Sequence, residues 1–135
     1  MTPLQLAALH KRCFITPRPW TADEFDTMLE LKGVQLFTAP RGFLMARIFA
    51  GEAELLTIAT DPDHRRQGTA SALLGRFLGE AAAFDSDIAF LEVAANNTAA
   101  LALYHSFDFI ERGRRPDYYK TPDGPVDALV MSRAL

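Results

Sequence analysis

The run "RRQGTA" at Arg65 to Ala70 follows an apolar segment that stops at Asp61-Pro62, and a long amphipathic stretch begins directly after it. A turn of this kind suits phosphate. The first N–H groups of a helix lack intrahelical partners, and the helix dipole adds partial positive charge there. Gly68 has no Cβ and lets an anion approach the main chain, Arg65 and Arg66 add charge, and Thr69 or Ser71 adds a hydroxyl donor. The P-loop needs a lysine after its second glycine and the dinucleotide fingerprint needs GxGxxG, and neither occurs, so ATP and NAD are poor candidates. One glycine at a loop-to-helix turn is a weak signal by itself, because the turn needs it for steric reasons alone.

A carboxylate is the second group suited to chemistry. Strand alternation in Ile88 to Val93 puts Ile88, Phe90 and Glu92 on one face, where a carboxylate at a strand end beside apolar neighbours is a reasonable proton acceptor. A solvated rim residue or an ion-pair partner is the commoner fate of such a Glu. Tyr104 lies in an apolar helix, where a tyrosine is commonly a core residue with its hydroxyl at the edge. His64 stands in a polar turn, open either to phosphate contact or to plain solvation. Cys13 shows no metal-ligand spacing with His10, His64 or His105, and is expected to be a small core hydrophobe. The basic run "RGRRPDYYK" is flanked by Glu111 and includes Asp117, which reads as a solvated strand and turn rather than an RNA surface. Asp23, Glu24 and Asp26 suit a helix start, and some of them are expected also to attract a basic peptide.

The elements that must hold these groups follow from periodicity. Leu6, Leu9 and Cys13 predict a short first helix; Thr21 with Glu24 as a capping box, and Trp20 with Phe25 as a staple, predict a second from Ala22 to Glu30, stopped by Gly33. Val34 to Thr38, Phe43 to Ala50 and Ala53 to Thr60 read as an antiparallel meander. From about Gly68 the stripe Ala70, Leu73, Leu74, Phe77, Leu78 and Ala81 predicts a helix lying on a sheet. Ile88 to Val93 is then a strand parallel to the one before the crossover. Asn97 caps a shorter helix, and Phe109 to Arg114 and Ala128 to Arg133 close the chain as strands around "TPDGP". The predicted fold is α+β, one mixed central sheet with helices on both faces.

Composition limits the function. A chain of 135 residues fits one domain, and a formal charge of −3 argues against a broad nucleic-acid surface. Neither a signal peptide nor a run near the ~20 apolar residues of a membrane span is visible, so a soluble cytoplasmic monomer is the expectation.

"RRQGTA" after a strand, followed by "LEVAANNTAALALYHSFDF", resembles the Gcn5-related N-acetyltransferase (GNAT) family, whose pyrophosphate loop has the form Arg/Gln-x-x-Gly-x-Gly/Ala. "ELLTIATDPDHRRQGTASALL", "LEV", "NN..AL.LY" and "DYYKTPDG" occur in the family's order and spacing, densest between Glu54 and Met131. Within the family the chain is most similar to the branch that acetylates the N-terminal alanine of a ribosomal protein. The resemblance implies a single GNAT domain over residues 1–135 without the family's first strand, and acetyl-CoA as co-substrate.

It also implies site roles. Arg65, Arg66, Gln67, Gly68, Thr69, Ala70 and Ser71 would hold the pyrophosphate, while Ile58, Ala59 and Thr60 would pair with the pantetheine arm like an added strand, an amide there facing the developing oxyanion. Asn97 would contact the coenzyme from the other side. Glu92 would take the proton of the amine, Tyr104 would protonate the departing thiolate, and Tyr118 and Tyr119 would line the acceptor groove. An N-terminal amine has a pKa near ~8, so a modest base suffices. Ala70 replaces a more usual glycine, and Asp108 stands where a left-handed turn after the short helix usually has one. A small-molecule amine, a lysine side chain, or a non-catalytic acyl-CoA sensor are the alternatives.

Overall fold

A computed structural model describes residues 1–135. Two threonines start the first two helices in the same way. Thr2 caps α1 (Pro3–Cys13) and Thr21 caps α2 (Ala22–Glu30), each accepting from the N–H three residues on while Gln5 or Glu24 bonds back. Each box is worth about 1 kcal/mol. The second box and the span of α2 agree with the sequence reading; the first, Thr2 with Gln5, was not anticipated. Trp20 and Phe25 do pack together, ring centroids 5.2 Å apart. Gly33 is not the cap of α2, a place taken by Leu31. It turns the chain into the sheet at φ +85, where a Cβ would meet the Ile48 carbonyl oxygen at 2.5 Å.

The meander forms as β1 (Val34–Ala39), β2 (Gly42–Phe49) and β3 (Glu52–Thr60). After a short 3-10 turn at Pro62–His64, helix α3 (Thr69–Ala83) crosses to β4 (Ile88–Ala94), which runs parallel to β3. Then follow α4 (Thr98–Ser106), β5 (Ile110–Thr121) and β6 (Gly124–Ala134), giving the sheet order β1-β2-β3-β4-β6-β5. The last hairpin is longer than expected. After an irregular stretch between Arg115 and Tyr119, pairing resumes at Tyr119 with Val126 and runs to Thr121 with Gly124, so "YYKT" is strand rather than turn.

Both sheet faces are covered, though unequally. Leu73, Leu74, Phe77, Leu78 and Ala81 of α3 pack with Leu44, Leu55, Leu91, Met131 and the α4 residue Tyr104 in the larger core. Ala70, placed by the sequence on the same stripe, is only partly buried, at the start of α3. On the other face α1 and α2 cover a smaller cluster of Leu6, Phe25, Phe43, Met45 and Ala59.

Two sheet features place the site. Met45 pairs with Thr57 but Ala46 pairs with Leu55, so Leu56 is an extra residue that bulges β3. And the parallel ladder of β3 with β4 is short: it joins Glu52, Ala53 and Glu54 to Ile88, Ala89 and Phe90, and then stops. Beyond it the two strands part, leaving Leu55 to Thr60 hydrogen-bonded to β2 on one edge only.

His10 fastens α1 to the bulged end of β3. Its side chain is buried, the Trp20 N–H donates to Nδ1 at 3.0 Å, and Nε2 lies 2.8 Å from Thr57 Oγ1. With Nδ1 occupied as acceptor, the neutral ring carries its proton on Nε2 and donates to Thr57. Burial pushes its pKa down from 6.5 to about 4. The unfolded chain therefore takes up this proton first, and stability is lost as pH falls through about 6.5, levelling off below about 4. Urea unfolding at pH ~7.5 and ~4.5 should show a loss of about 2 kcal/mol from this residue, absent from His10→Gln. Equal pH slopes in the two proteins would contradict the assignment.

Candidate active site

A groove of about 770 Å³ opens where β3 parts from β4, between the starts of α3 and α4 and the segment after α1. Gly68 caps α3 in the left-handed region, φ 79, with no side chain bonded to the helix start. The first helical bond runs from the Ala72 N–H to the Gly68 carbonyl at 2.9 Å, so the N–H groups of Thr69, Ala70 and Ser71 precede the ladder. Such a row of unpaired donors at the positive end of a 15-residue helix fits a diphosphate. Of the expected coenzyme contacts, Ile58, Ala59, Thr60, Arg65, Arg66, Gly68, Thr69, Ala70, Ser71 and Asn97 line this groove; Gln67 is exposed and does not.

The loop's own acids are held by α1. Arg12 bridges Asp61 at 3.2 Å and Asp63 at 2.9 Å, and the Asp61 carboxylate, accepting the Asp63 N–H, is held below its usual pKa range. His64 lies 3.4 Å from Asp61 and does not line the groove. Cys13 is half-buried and donates to the Thr60 carbonyl at 3.2 Å. With Phe14, Ile15 and Thr16 it forms a groove wall that the sequence reading did not anticipate. Asn97 caps α4 by accepting the Ala100 N–H at 3.2 Å, which leaves its amide nitrogen free to donate.

Tyr104 also lines the groove, only 4% exposed. Burial holds its phenol well above the ordinary range, so at neutral pH the group keeps a proton to give. Glu92 is not in this groove. Leu91 and Val93 pack into the α3 and α4 core, so alternation along β4 turns Glu92 to the opposite face, with Ile88 and Phe90. There Arg115 Nε lies 3.4 Å from its Oε2, and the Tyr119 hydroxyl donates to Oε1 at 3.5 Å. Burial and the Glu92 charge push the Tyr119 phenol up to about 12. Tyr118 packs edge-on against Tyr119, centroids 5.1 Å apart, and is half exposed. The two groups expected to move protons thus sit on opposite faces of the sheet.

Glu54 was missed. It ends the β3–β4 ladder, partly buried, where burial chiefly and the Glu92 and Glu52 charges further raise its carboxyl, against Arg47. The available signal was the alternation of Glu52 and Glu54 with Ala53 and Leu55 in a strand. At the acidic start of α2, one of the three carboxylates is already paired. Glu24 is bound by both Arg18 nitrogens, at 2.7 and 2.9 Å, and is pushed down to about 2 by that contact and the Thr21 N–H, so its charge is already matched. A hollow of about 470 Å³ beside Trp20, Asp23, Glu24, Thr27 and Met28 shares no residue with the groove. No three His, Cys, Asp or Glu side chains come together as a metal site, and no helix is long and apolar enough to cross a membrane.

Comparison with known proteins agrees with this geometry. Residues 5–109 match the Acetyltransferase (GNAT) family. The [ribosomal protein bS18]-alanine N-acetyltransferase of Escherichia coli (strain K12) is 42% identical over 90 residues, 67% of this chain and 61% of that protein. The match thus spans about three fifths of the relative's length. The N-alpha-acetyltransferase RimI of Mycobacterium tuberculosis (strain ATCC 25618 / H37Rv) is 31% identical over 137 residues, covering 94% of this chain and 83% of that one. The crystal structure of the E. coli ribosomal-protein-S18-alanine N-acetyltransferase superposes with a TM-score of 0.86 at 33% identity, covering 95% of this chain and 84% of the other. The unpaired start of α3 after "RRQG", the parted strands β3 and β4, and these matches together make the chain a member of the GNAT acetyltransferase family.

Proposed function

We propose that this protein transfers the acetyl group of acetyl-CoA to the N-terminal α-amine of a protein, an alanine-first ribosomal protein being the acceptor that its relatives' names suggest. The observation that carries the reading is the parting of β3 from β4 after Glu54, with a groove suited to a diphosphate lined by the freed end of β3 and a carboxylate of β4 on the other face. Bound acetyl-CoA supplies an acetyl group activated as a thioester. The N–H groups of Thr69, Ala70 and Ser71 hold its diphosphate, with Arg65 and Arg66 adding charge, and the free edge of Leu55 to Thr60 aligns the arm.

The chain's groups then divide the proton traffic between the faces. Glu92 accepts a proton from the acceptor amine, and Tyr104 donates one toward the coenzyme side. Tyr118 and Tyr119 on the hairpin, with Phe14 and Ile15 after α1, border the acceptor's approach. A pure coenzyme sensor needs no carboxylate on the far face. We place the enzyme in the cytoplasm, where acetyl-CoA and nascent ribosomal proteins meet.

A peptide panel tests the reading by release of the CoA thiol. An alanine-first basic peptide should react and the same peptide with a blocked N-terminus should not. Product on the blocked peptide would reassign the acceptor to lysine, and reaction only with polyamines would reassign it to small amines.

A further inference from the structure

Glu92, the carboxylate assigned to the acceptor amine, already holds a cation in the protein alone: Arg115 Nε at 3.4 Å from Oε2. The hairpin is built to deliver that cation. Arg115 pairs with Ala128 and Tyr119 with Val126, so three residues of β5 stand opposite Asp127 alone. Asp117 takes a left-handed conformation there, φ 53, its N–H bound to Asp127 Oδ1 at 2.9 Å while Arg114 donates to Oδ2 at 2.8 Å. The Asp127 carbonyl also accepts the Ala95 N–H at 2.9 Å, which ties this kink to the end of β4. Arg115 and Tyr119 thereby reach the same carboxylate from one side.

The pair is made to be opened. The side chains of Arg115 and Glu92 are 58% and 31% exposed, and an ion pair that wet holds weakly. Arg115 also has somewhere to stay, since its guanidinium lies 5.4 Å from the centre of the Tyr118 ring. Glu54, the other carboxylate near Glu92, faces Arg47 across β2 and β3 and is partly withdrawn from water. Glu92 is therefore the carboxylate that an incoming ammonium meets with a cation in its place.

We propose that Arg115 occupies the seat of the acceptor's α-ammonium in the resting protein and must be displaced before the amine can engage Glu92. The guanidinium thus selects against cationic amines that lack a peptide chain to add binding energy elsewhere along the hairpin. The proposal rests on the reading of Glu92 as the amine's partner.

Binding is read without turnover by loading the full-length protein with CoA in place of acetyl-CoA and titrating an alanine-first peptide by calorimetry at about pH 6, where an α-amine of pKa ~8 is almost wholly ammonium. Arg115→Met should bind this peptide about fivefold more tightly than the parent protein. A peptide of the same sequence lacking the α-amine should bind both proteins equally, and the gain should vanish when Glu92→Gln is added. Weaker binding of both peptides to Arg115→Met would overturn the proposal by making Arg115 a contact of the peptide chain. An unchanged affinity for the amine peptide would overturn it as well. Glu92→Gln assayed separately for turnover judges the underlying reading: full activity there refutes Glu92 as the base, whatever the binding experiment shows.

Discussion

Replacing Glu92 by glutamine is expected to lower kcat by about 10²–10⁴-fold, the usual worth of a positioned proton acceptor. Glutamine keeps the size of the side chain and can still accept the Tyr119 hydroxyl, but it cannot take a proton. Because Glu92 lies across the sheet from the coenzyme groove, the affinity for acetyl-CoA should change by less than about twofold, as expected for sites without shared partners. Initial rates of thiol release together with calorimetry of acetyl-CoA give both numbers. A parallel loss of coenzyme affinity would place Glu92 in the wrong half of the site. Undiminished kcat would leave water or another side chain, with Glu54 nearest in environment, as the acceptor of the proton.

Gly68→Asp is expected to weaken acetyl-CoA binding by about 100-fold or more while leaving the fold intact. A Cβ built on Gly68 meets nothing within 4 Å, so the new side chain does not collide with the protein. The left-handed backbone, φ 79, costs a non-glycine residue about 1 kcal/mol, and Asp tolerates it better than most. The large effect comes from charge. A carboxylate at the start of α3 competes for the same N–H groups as the diphosphate, and like charges ~4 Å apart near a protein surface repel by about 4 kcal/mol. Gly68→Ala isolates the strain and should lose less than about tenfold. Thermal melting of both variants near the parent value, with only the aspartate losing coenzyme, is the expected pattern. Equal losses for the two would mean that Gly68 serves only the turn.

What the sequence made legible was local. The Thr21 and Glu24 box, the apolar stripe from Leu73 to Ala81 and the Asn97 cap each follow from residues within a few positions of one another, whereas the left-handed Asp108, φ 65, was expected only from the family resemblance. The parallel order of β3 and β4 followed from the intervening helix. What stayed hidden depends on partners distant in the chain. The bulge at Leu56 appears only when β3 is paired with β2, and the end of the β3–β4 ladder at Glu54 only when both strands are laid side by side.

The basic run illustrates the difference. Read alone, "RGRRPDYYK" is a solvated stretch, and Arg112, Arg114 and Arg115 are indeed exposed. Once Asp127 kinks the hairpin, however, Arg115 meets Glu92, more than twenty residues earlier in the chain. His10 was likewise no more than a histidine without metal partners. Its bonds to Trp20 and Thr57 span the first helix, the following loop and the third strand.

The central claim is that the start of α3 grips the diphosphate and that the gap between β3 and β4 carries the thioester toward Glu92. Backbone amide NMR during titration with acetyl-CoA tests both parts together. The largest saturable shifts should fall on Gly68 to Ser71 and on Leu55 to Thr60, with smaller ones reaching Glu92 and Tyr119. Saturable binding that leaves the amides of Gly68 to Ser71 unmoved would contradict the account.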